Sequence, residues 1–324
     1  MKQQNERSPQ RHSSIIRPDR RGVGYRLWLS ILLFCLGAMS TLNIGAQNVG
    51  QEQDTNRRIS SDSFTNGRPK RGASGSGKNR VPPKRHTYRL SNVSGKVPPS
   101  RAGNFIQLGI TIWKMSPARS ADSDRRALIR QKGKKVFWGA VRAESDGTFR
   151  EGDYVRFSVE SPGSGYLYVI DRDLLADGNP GNPMLISPWS GADNKLVPGS
   201  LIDIPAEDDD PNFFTARITG QNQIGELLTF IVTTTPMNLP MSDKPLPIAL
   251  KDLNDWEKLW GGATERYEME GGAGAVWTRE EQQAAAKNGR RQLTRNDPPP
   301  QTIYHVFVGN KKGMLVNLVL KYRS

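Results

Sequence analysis

Three histidines, one cysteine and a scatter of carboxylates are where nucleophilic, metal or acid–base chemistry would begin in this 324-residue chain. His12 precedes the most apolar run and His86 lies in a Gly/Ser/Pro-rich stretch, which leaves His305. On an alternating segment His305 shares a face with Ile303 and Phe307, the setting of a packed sheet histidine rather than a ligand. A Ser-His-Asp site would have to use it, yet no Gly-x-Ser-x-Gly elbow occurs. His-x-x-x-His and Cys/His metal spacings are absent too. Cys35 sits inside the apolar run, so a chain that loses this run has neither a disulfide nor a thiolate site.

The carboxylates offer more. Asp171, Asp173 and Asp177, followed by Gly178-Asn179, are weak candidates for oxygen-rich calcium coordination. The EF-hand register fails, because Leu175 and Ala176 stand where a ligand and a spacer belong, and a hairpin loop rich in turn-forming Asp, Gly and Asn explains the run better. Glu207-Asp208-Asp209-Asp210 before Pro211 reads as a solvated loop. Glu265 and Glu268 are an acid pair of the type a glycosidase uses, although sequence does not give their separation. Gly72-Ala73-Ser74-Gly75-Ser76-Gly77-Lys78 has P-loop spacing, but Asn79 replaces the Mg²⁺-binding hydroxyl and no strand precedes it, so no cofactor is expected. Six tryptophans follow the apolar run: Trp113, Trp138, Trp189, Trp256, Trp260 and Trp277. Core packing is their commoner fate; Trp189, in a Pro/Ser/Gly loop, is the candidate for stacking on a sugar ring.

The elements that must position these groups start at Phe105. Leu108, Ile110 and Ile112 share one strand face. Val155, Phe157 and Val159 alternate with Tyr154, Arg156, Ser158 and Glu160, the pattern of a half-buried strand. The turn Pro162-Gly163-Ser164-Gly165 leads to Tyr166–Ile170, which predicts an antiparallel hairpin. Met184–Ser187, Leu201–Ile204 and a strand through Leu228, Phe230 and Val232 follow, then a last hairpin of Ile303–Val308 with Leu315–Tyr322. Lys251–Trp260 reads as a helix ending at Gly261-Gly262, and Thr278-Arg279-Glu280-Glu281 as a capping box opening a second. Many short strands with dense turns predict a mainly β protein, an antiparallel β-sandwich with two short helices in its C-terminal part.

Phe149-Arg150-Glu151-Gly152-Asp153-Tyr154-Val155-Arg156-Phe157 and Gly165-Tyr166-Leu167-Tyr168-Val169-Ile170-Asp171 resemble the opening of a bacterial family named only as domain of unknown function 4384. The resemblance continues through Leu185–Pro188, Pro198–Pro205 and Gly225–Phe230, and covers about residues 149–236. Trp189 departs from it, standing where the family leads into an Asn-rich turn. The resemblance implies an exported or envelope-associated β-sandwich, with no known reaction and no catalytic residues to carry over.

Before Phe105 the composition changes. Residues 47–104 carry 12 Lys/Arg and 3 Asp/Glu among Gly, Ser, Asn and Pro, too few apolar groups to offset ordering entropy, which predicts a disordered basic linker. Arg71, Lys84 and Arg85 are its candidates for an anionic membrane or polymer surface. Residues 1–46 read as an export signal: a basic start, the apolar run Leu27–Ser40, and small residues up to Ala46. Cleavage after Ala46 and retention as an N-terminal anchor both place the rest outside the cytoplasm, in the periplasm, at the cell surface or in the medium.

The formal charge of +14 lies wholly in residues 1–104, and residues 105–324 hold 27 bases and 27 acids. That distribution argues against nucleic acid as a partner, since a nucleic-acid domain carries its basic patch on folded structure. The expectation is an exported envelope protein whose β-sandwich binds a protein or glycan without catalysis. A secreted hydrolase using acidic residues, and a membrane-tethered structural protein whose linker holds anionic envelope polymer, are the alternatives.

Overall fold

The computed structural model describes residues 57–70, 85–97, 105–117, 126–131, 134–189, 192–240, 242–286 and 291–323. Residues 1–46, which the sequence reads as an export signal, lie outside the described residues, as do Arg71 and Lys84. Among the described residues no helix is long and apolar enough to cross a membrane.

The chain is mainly β. It begins with β1 (Arg58–Ser60), α1 (Asp62–Thr65), β2 (Thr87–Ser94), β3 (Phe105–Pro117), β4 (Arg126–Gln131) and β5 (Lys134–Ala143). There follow β6 (Thr148–Arg150), β7 (Tyr154–Glu160), β8 (Gly165–Leu175), β9 (Met184–Ser187), β10 (Lys195–Leu196), β11 (Ile202–Ile204) and β12 (Phe214–Thr215). The C-terminal part holds β13 (Gln223–Thr233), β14 (Leu246–Pro247), α2 (Leu250–Trp260), β15 (Ala263–Met269), α3 (Arg279–Ala285), β16 (Thr302–Phe307) and β17 (Gly313–Arg323).

Two sheets face one another. The first runs β1-β2-β15-β16-β3-β5-β4, with β7 on the other edge of β3 and β11 and β12 beyond it. The second runs β14-β9-β8-β13-β17-β6, with β10 on β8, and is antiparallel except where β17 meets β6. Alternate residues of β3 (Leu108, Ile110, Ile112) and β7 (Val155, Phe157, Val159) meet Leu167, Val169, Leu228, Phe230 and Val232 from the second sheet. This shared apolar layer makes the sandwich, because each sheet has one greasy face to hide from water.

Three expectations change. The β7–β8 hairpin does not form, because Pro162–Gly163 carries the chain from the first sheet to the second. The same holds for β16 and β17, which lie in opposite sheets. Period-two patterning reports which face is apolar but not which strand is the neighbour. Strand β7 is not half-buried either: Arg156, Ser158 and Glu160 are as buried as the residues between them. A second layer, built by α3, Trp277 and the segment around Arg68, covers that face.

The largest correction concerns the linker. Residues 57–70 and 85–97 are part of the sandwich: β1 pairs with β2, and β2 pairs with β15. Phe64 and Tyr88 are fully buried beside Tyr267 and Ile303. Arg68 is buried too, donating to both oxygens of Glu160 (2.6 and 3.0 Å) and to the carbonyls of Thr294, Asp297 and Pro298. Arg57 pairs with buried Glu265, and Arg58 with Glu270. The acids that balanced the charge of residues 105–324 therefore include several whose partners lie upstream.

Candidate functional site

A cleft of about 550 Å³ opens where the loops after β9 and β11 approach the end of α3. Three local features shape it. Strand β9 ends at Ser187 and passes through Pro188 to half-buried Trp189. The chain returns through Asp193, whose carboxylate accepts the backbone N–H of Lys195 at 2.9 Å, and β10 then pairs with β8. Gly199, at φ +84°, lets the backbone turn tightly enough for its carbonyl to accept from Leu293 N–H, and a Cβ there would stand 2.4 Å from the Leu293 carbonyl. The N–H of Leu201 bonds to the Ala284 carbonyl, which holds the end of α3 against the cleft.

Helix α3 starts on the capping box seen in the sequence. Thr278 Oγ1 accepts from Glu281 N–H, and Glu281 Oε2 accepts from Thr278 N–H. Buried Glu281 also pairs with Arg142, so the cap ties the helix to β5. Its last residues, Ala284 and Ala285, give the cleft a small-residue floor.

Asp203, on β11, is the buried acid of the cleft. Its Oδ1 accepts from Ser158 Oγ at 2.5 Å, and Ser158 Oγ accepts from Trp113 Nε1 at 2.7 Å. Arg156 Nη1 forms an ion pair with Oδ2 at 3.7 Å, and among the described residues no donor hydrogen-bonds to that oxygen. Burial pushes this carboxyl up to about 6, against the pull of Arg156 and Ser158. Behind it Trp113 stacks on Trp277 at 5.3 Å, and Arg156 lies over the Trp277 ring. The following turn, Pro205–Asp209, closes when Asp209 accepts from Ala206 N–H at 2.8 Å.

The other candidates from sequence are dispersed. Asp171 and Asp173 sit on the core-facing side of β8 with Glu226 of β13, while Asp177 is exposed in the next turn, accepting from Asn179. Among the described residues no three His, Cys, Asp or Glu side chains gather in a way that would hold a metal ion. Glu265 and Glu268 do not converge, because they project from opposite faces of β15. Glu265 meets Tyr267 and Arg57, whereas Glu268 meets Ser145, Gln301 and Thr302. His305 is packed as expected, bonded to Gln107 and stacked on Phe105, and burial lowers its pKa to about 4. Arg85 is exposed and pairs with Asp62 at 3.1 Å.

Of the cleft's residues, sequence reasoning singled out Trp189, read the run that supplies Glu207, Asp208 and Asp209 as a solvated loop, and missed Asp203 and the Ser158–Arg156 pair behind it. The available signal was an Asp between two isoleucines, Ile202-Asp203-Ile204, facing the polar side of β7. A wider hollow of about 820 Å³ lies between Thr233–Met237, Trp260 and the 310–312 turn, without a carboxylate.

Comparisons of the chain with family models, with curated proteins and with solved structures find no match.

Proposed function

We propose that this protein is a non-enzymatic β-sandwich binding module that is exported and works in the bacterial envelope. The cleft beside Trp189 would receive part of a protein or glycan partner. One observation carries this reading: a half-buried tryptophan lining a concave site that several acidic residues also line. An aromatic face with hydrogen-bond acceptors beside it suits a sugar ring or a flat side chain. The export half rests on the sequence of residues 1–46, and the resemblance to domain of unknown function 4384 agrees with it without supplying a reaction.

Fractionation followed by crosslinking capture of the mature chain from an envelope fraction tests both halves. Export predicts recovery outside the cytosol, and cleft binding predicts that Trp189→Ala abolishes the crosslinked product while the fold is kept. A captured partner that is indifferent to Trp189→Ala removes the cleft from the reading.

A hydrolase has one observation in its favour: a buried carboxyl with a raised pKa, Asp203, in a cleft with other acids. It predicts turnover of a chromogenic glycoside that Asp203→Asn abolishes, and the binding-module reading predicts none.

A further inference from the structure

The hollow of about 820 Å³ at the end of β13 is a second concave site, and it stands whether or not the cleft binds anything. Three segments wall it, and each is tied down. Past β13 the chain is held by Thr233 Oγ1 donating to the Thr235 carbonyl and by Met237 N–H donating to Tyr168 Oη, both at 2.7 Å. The turn before β17 is fixed to this segment, since Thr234 N–H donates to the Lys312 carbonyl at 3.2 Å. Helix α2 ends against the same turn, where Lys311 Nζ donates to the Gly261 carbonyl, and Arg172 pairs with its Glu257 at 3.2 Å. Gly313 makes room for the Trp260 indole, because a Cβ there would stand 2.7 Å from Trp260 Cδ1. The walls are thus set before any ligand arrives, which spares the ordering cost of binding.

Two properties of the lining point to one kind of ligand. Its apolar part is Pro236, Met237, Leu259, Trp260 and Val308. Leu259 is 55% exposed, the most exposed large apolar side chain among the described residues. A leucine left in water at the rim of an apolar hollow gains stability when a hydrocarbon covers it. The charged part of the lining is Lys311 and Lys312, with no Asp or Glu beside them. The acceptor that Lys311 has, the Gly261 carbonyl, is neutral, so the hollow keeps its positive charge.

We propose that the hollow binds a single-chain anionic amphiphile, a carboxylate or phosphate on a hydrocarbon tail. The head lies at Lys311 and Lys312, and the tail crosses Trp260 towards Leu259 and Met237. A volume of about 820 Å³ is in the range of small-molecule sites and suits one such chain, not a folded partner. Cationic amphiphiles would meet repulsion.

Calorimetric titration of the full chain with decanoate, decyl phosphate, octyl glucoside and acetate, each as monomer, tests this. Decanoate or decyl phosphate binds at one saturable site. Octyl glucoside lacks the charge and acetate lacks the tail, so each binds at least about tenfold more weakly. The double substitution Lys311→Gln, Lys312→Gln weakens the anion about tenfold, the scale of one charge-assisted hydrogen bond, and Leu259→Ser weakens it several-fold. All three positions are exposed, and an unchanged urea midpoint shows that the variants fold. The apolar run Leu27–Ser40 offers amphiphiles another place to go, and the substitutions tell the two apart. Anion binding that ignores both sets of substitutions overturns the proposal, as does octyl glucoside binding as tightly as decanoate. Vesicles of phosphatidylglycerol separate the sources of the amphiphile. Retention that the lysine substitutions abolish assigns the hollow to a bilayer lipid, and monomer binding without retention assigns it to a free acyl anion. Neither monomer binding nor lysine-dependent retention leaves the hollow without this ligand, and the proposal falls.

Discussion

Glu226 and Asp171 bring two carboxyls to one end of the sandwich core, where Tyr322 donates to Glu226 at 3.0 Å and Asp173 adds a third charge nearby. Burial and the neighbouring Asp171 raise Glu226 to about 9, and burial raises Asp171 as well. A carboxyl raised by folding holds its proton more tightly folded than unfolded. Below its ordinary value of 4.5 both states are protonated and that stability is fully present; it drains away as pH climbs through about 9. The expected outcome is a urea midpoint that falls between about pH 5 and pH 9 in the natural chain, with a shallower fall in Glu226→Gln. A steeper fall in the variant would mean Glu226 is charged in the fold. Arg68 makes the opposite case, a charge that must stay. Removing one partner of a buried ion pair costs about 3–5 kcal/mol, so Arg68→Ala should lower the unfolding free energy by that order in denaturant titration. None of this was legible in the sequence: Arg68 stands among other bases in a Gly/Pro stretch, and only the fold places it against Glu160.

At the scale of elements, patterns read well wherever they depend on neighbours along the chain. The capping box at Thr278–Glu281 and the helix ending at Trp260 are where sequence put them, because caps and i, i+4 faces are local. The faces of β3 and β13 that carry Leu108 and Phe230 were legible for the same reason. The two hairpins were not, since a turn of Pro and Gly serves equally to reverse within a sheet or to cross between two. The buried polar face of β7 was unreadable as well, because Arg156, Ser158 and Glu160 look like a wet face until Trp277 and α3 cover them. Helix α3 deserves a direct test, since it floors the cleft. Thr278→Ala removes the acceptor for Glu281 N–H and should cost about 1 kcal/mol, a fall in Tm of about 2–4 °C for a domain of this size. The binding proposed for the cleft should weaken with it, because Ala284 and Ala285 line the cleft and shift when the helix start frays. Unchanged Tm in differential scanning calorimetry would show that the Arg142–Glu281 pair alone holds the helix.

For the whole molecule, the question is where folding begins. Composition divides the chain at Phe105, with excess charge before it and balance after it, and that division misleads because charge balance along sequence is not charge pairing in space. Residues 57–70 and 85–97 hold seven Lys/Arg and one Asp, and in the fold Arg57, Arg58 and Arg68 meet Glu265, Glu270 and Glu160 of the downstream part. A chain that begins at Phe105 therefore loses more than a tether. It uncovers Tyr267, Met269 and Ile303, which pack against Phe64, Tyr88 and Leu90, and exposes the edge of β15 that β2 protects. It also leaves Glu160 and Glu265, both buried, without their arginines. Burying an unpaired carboxylate costs several kcal/mol, and whole domains are stable by only about 5–15 kcal/mol. The expected result is that a chain starting at Glu52 unfolds cooperatively in urea, while one starting at Phe105 is aggregated or binds hydrophobic dye without a sharp transition. Partial rescue of the shorter chain by Glu160→Gln with Glu265→Gln would assign the loss to the orphaned charges, and failure of that rescue would assign it to the uncovered apolar face. If instead the chain from Phe105 unfolds at the same urea concentration as the longer one, the upstream strands are an appendage to the sandwich and Arg68 is not its latch.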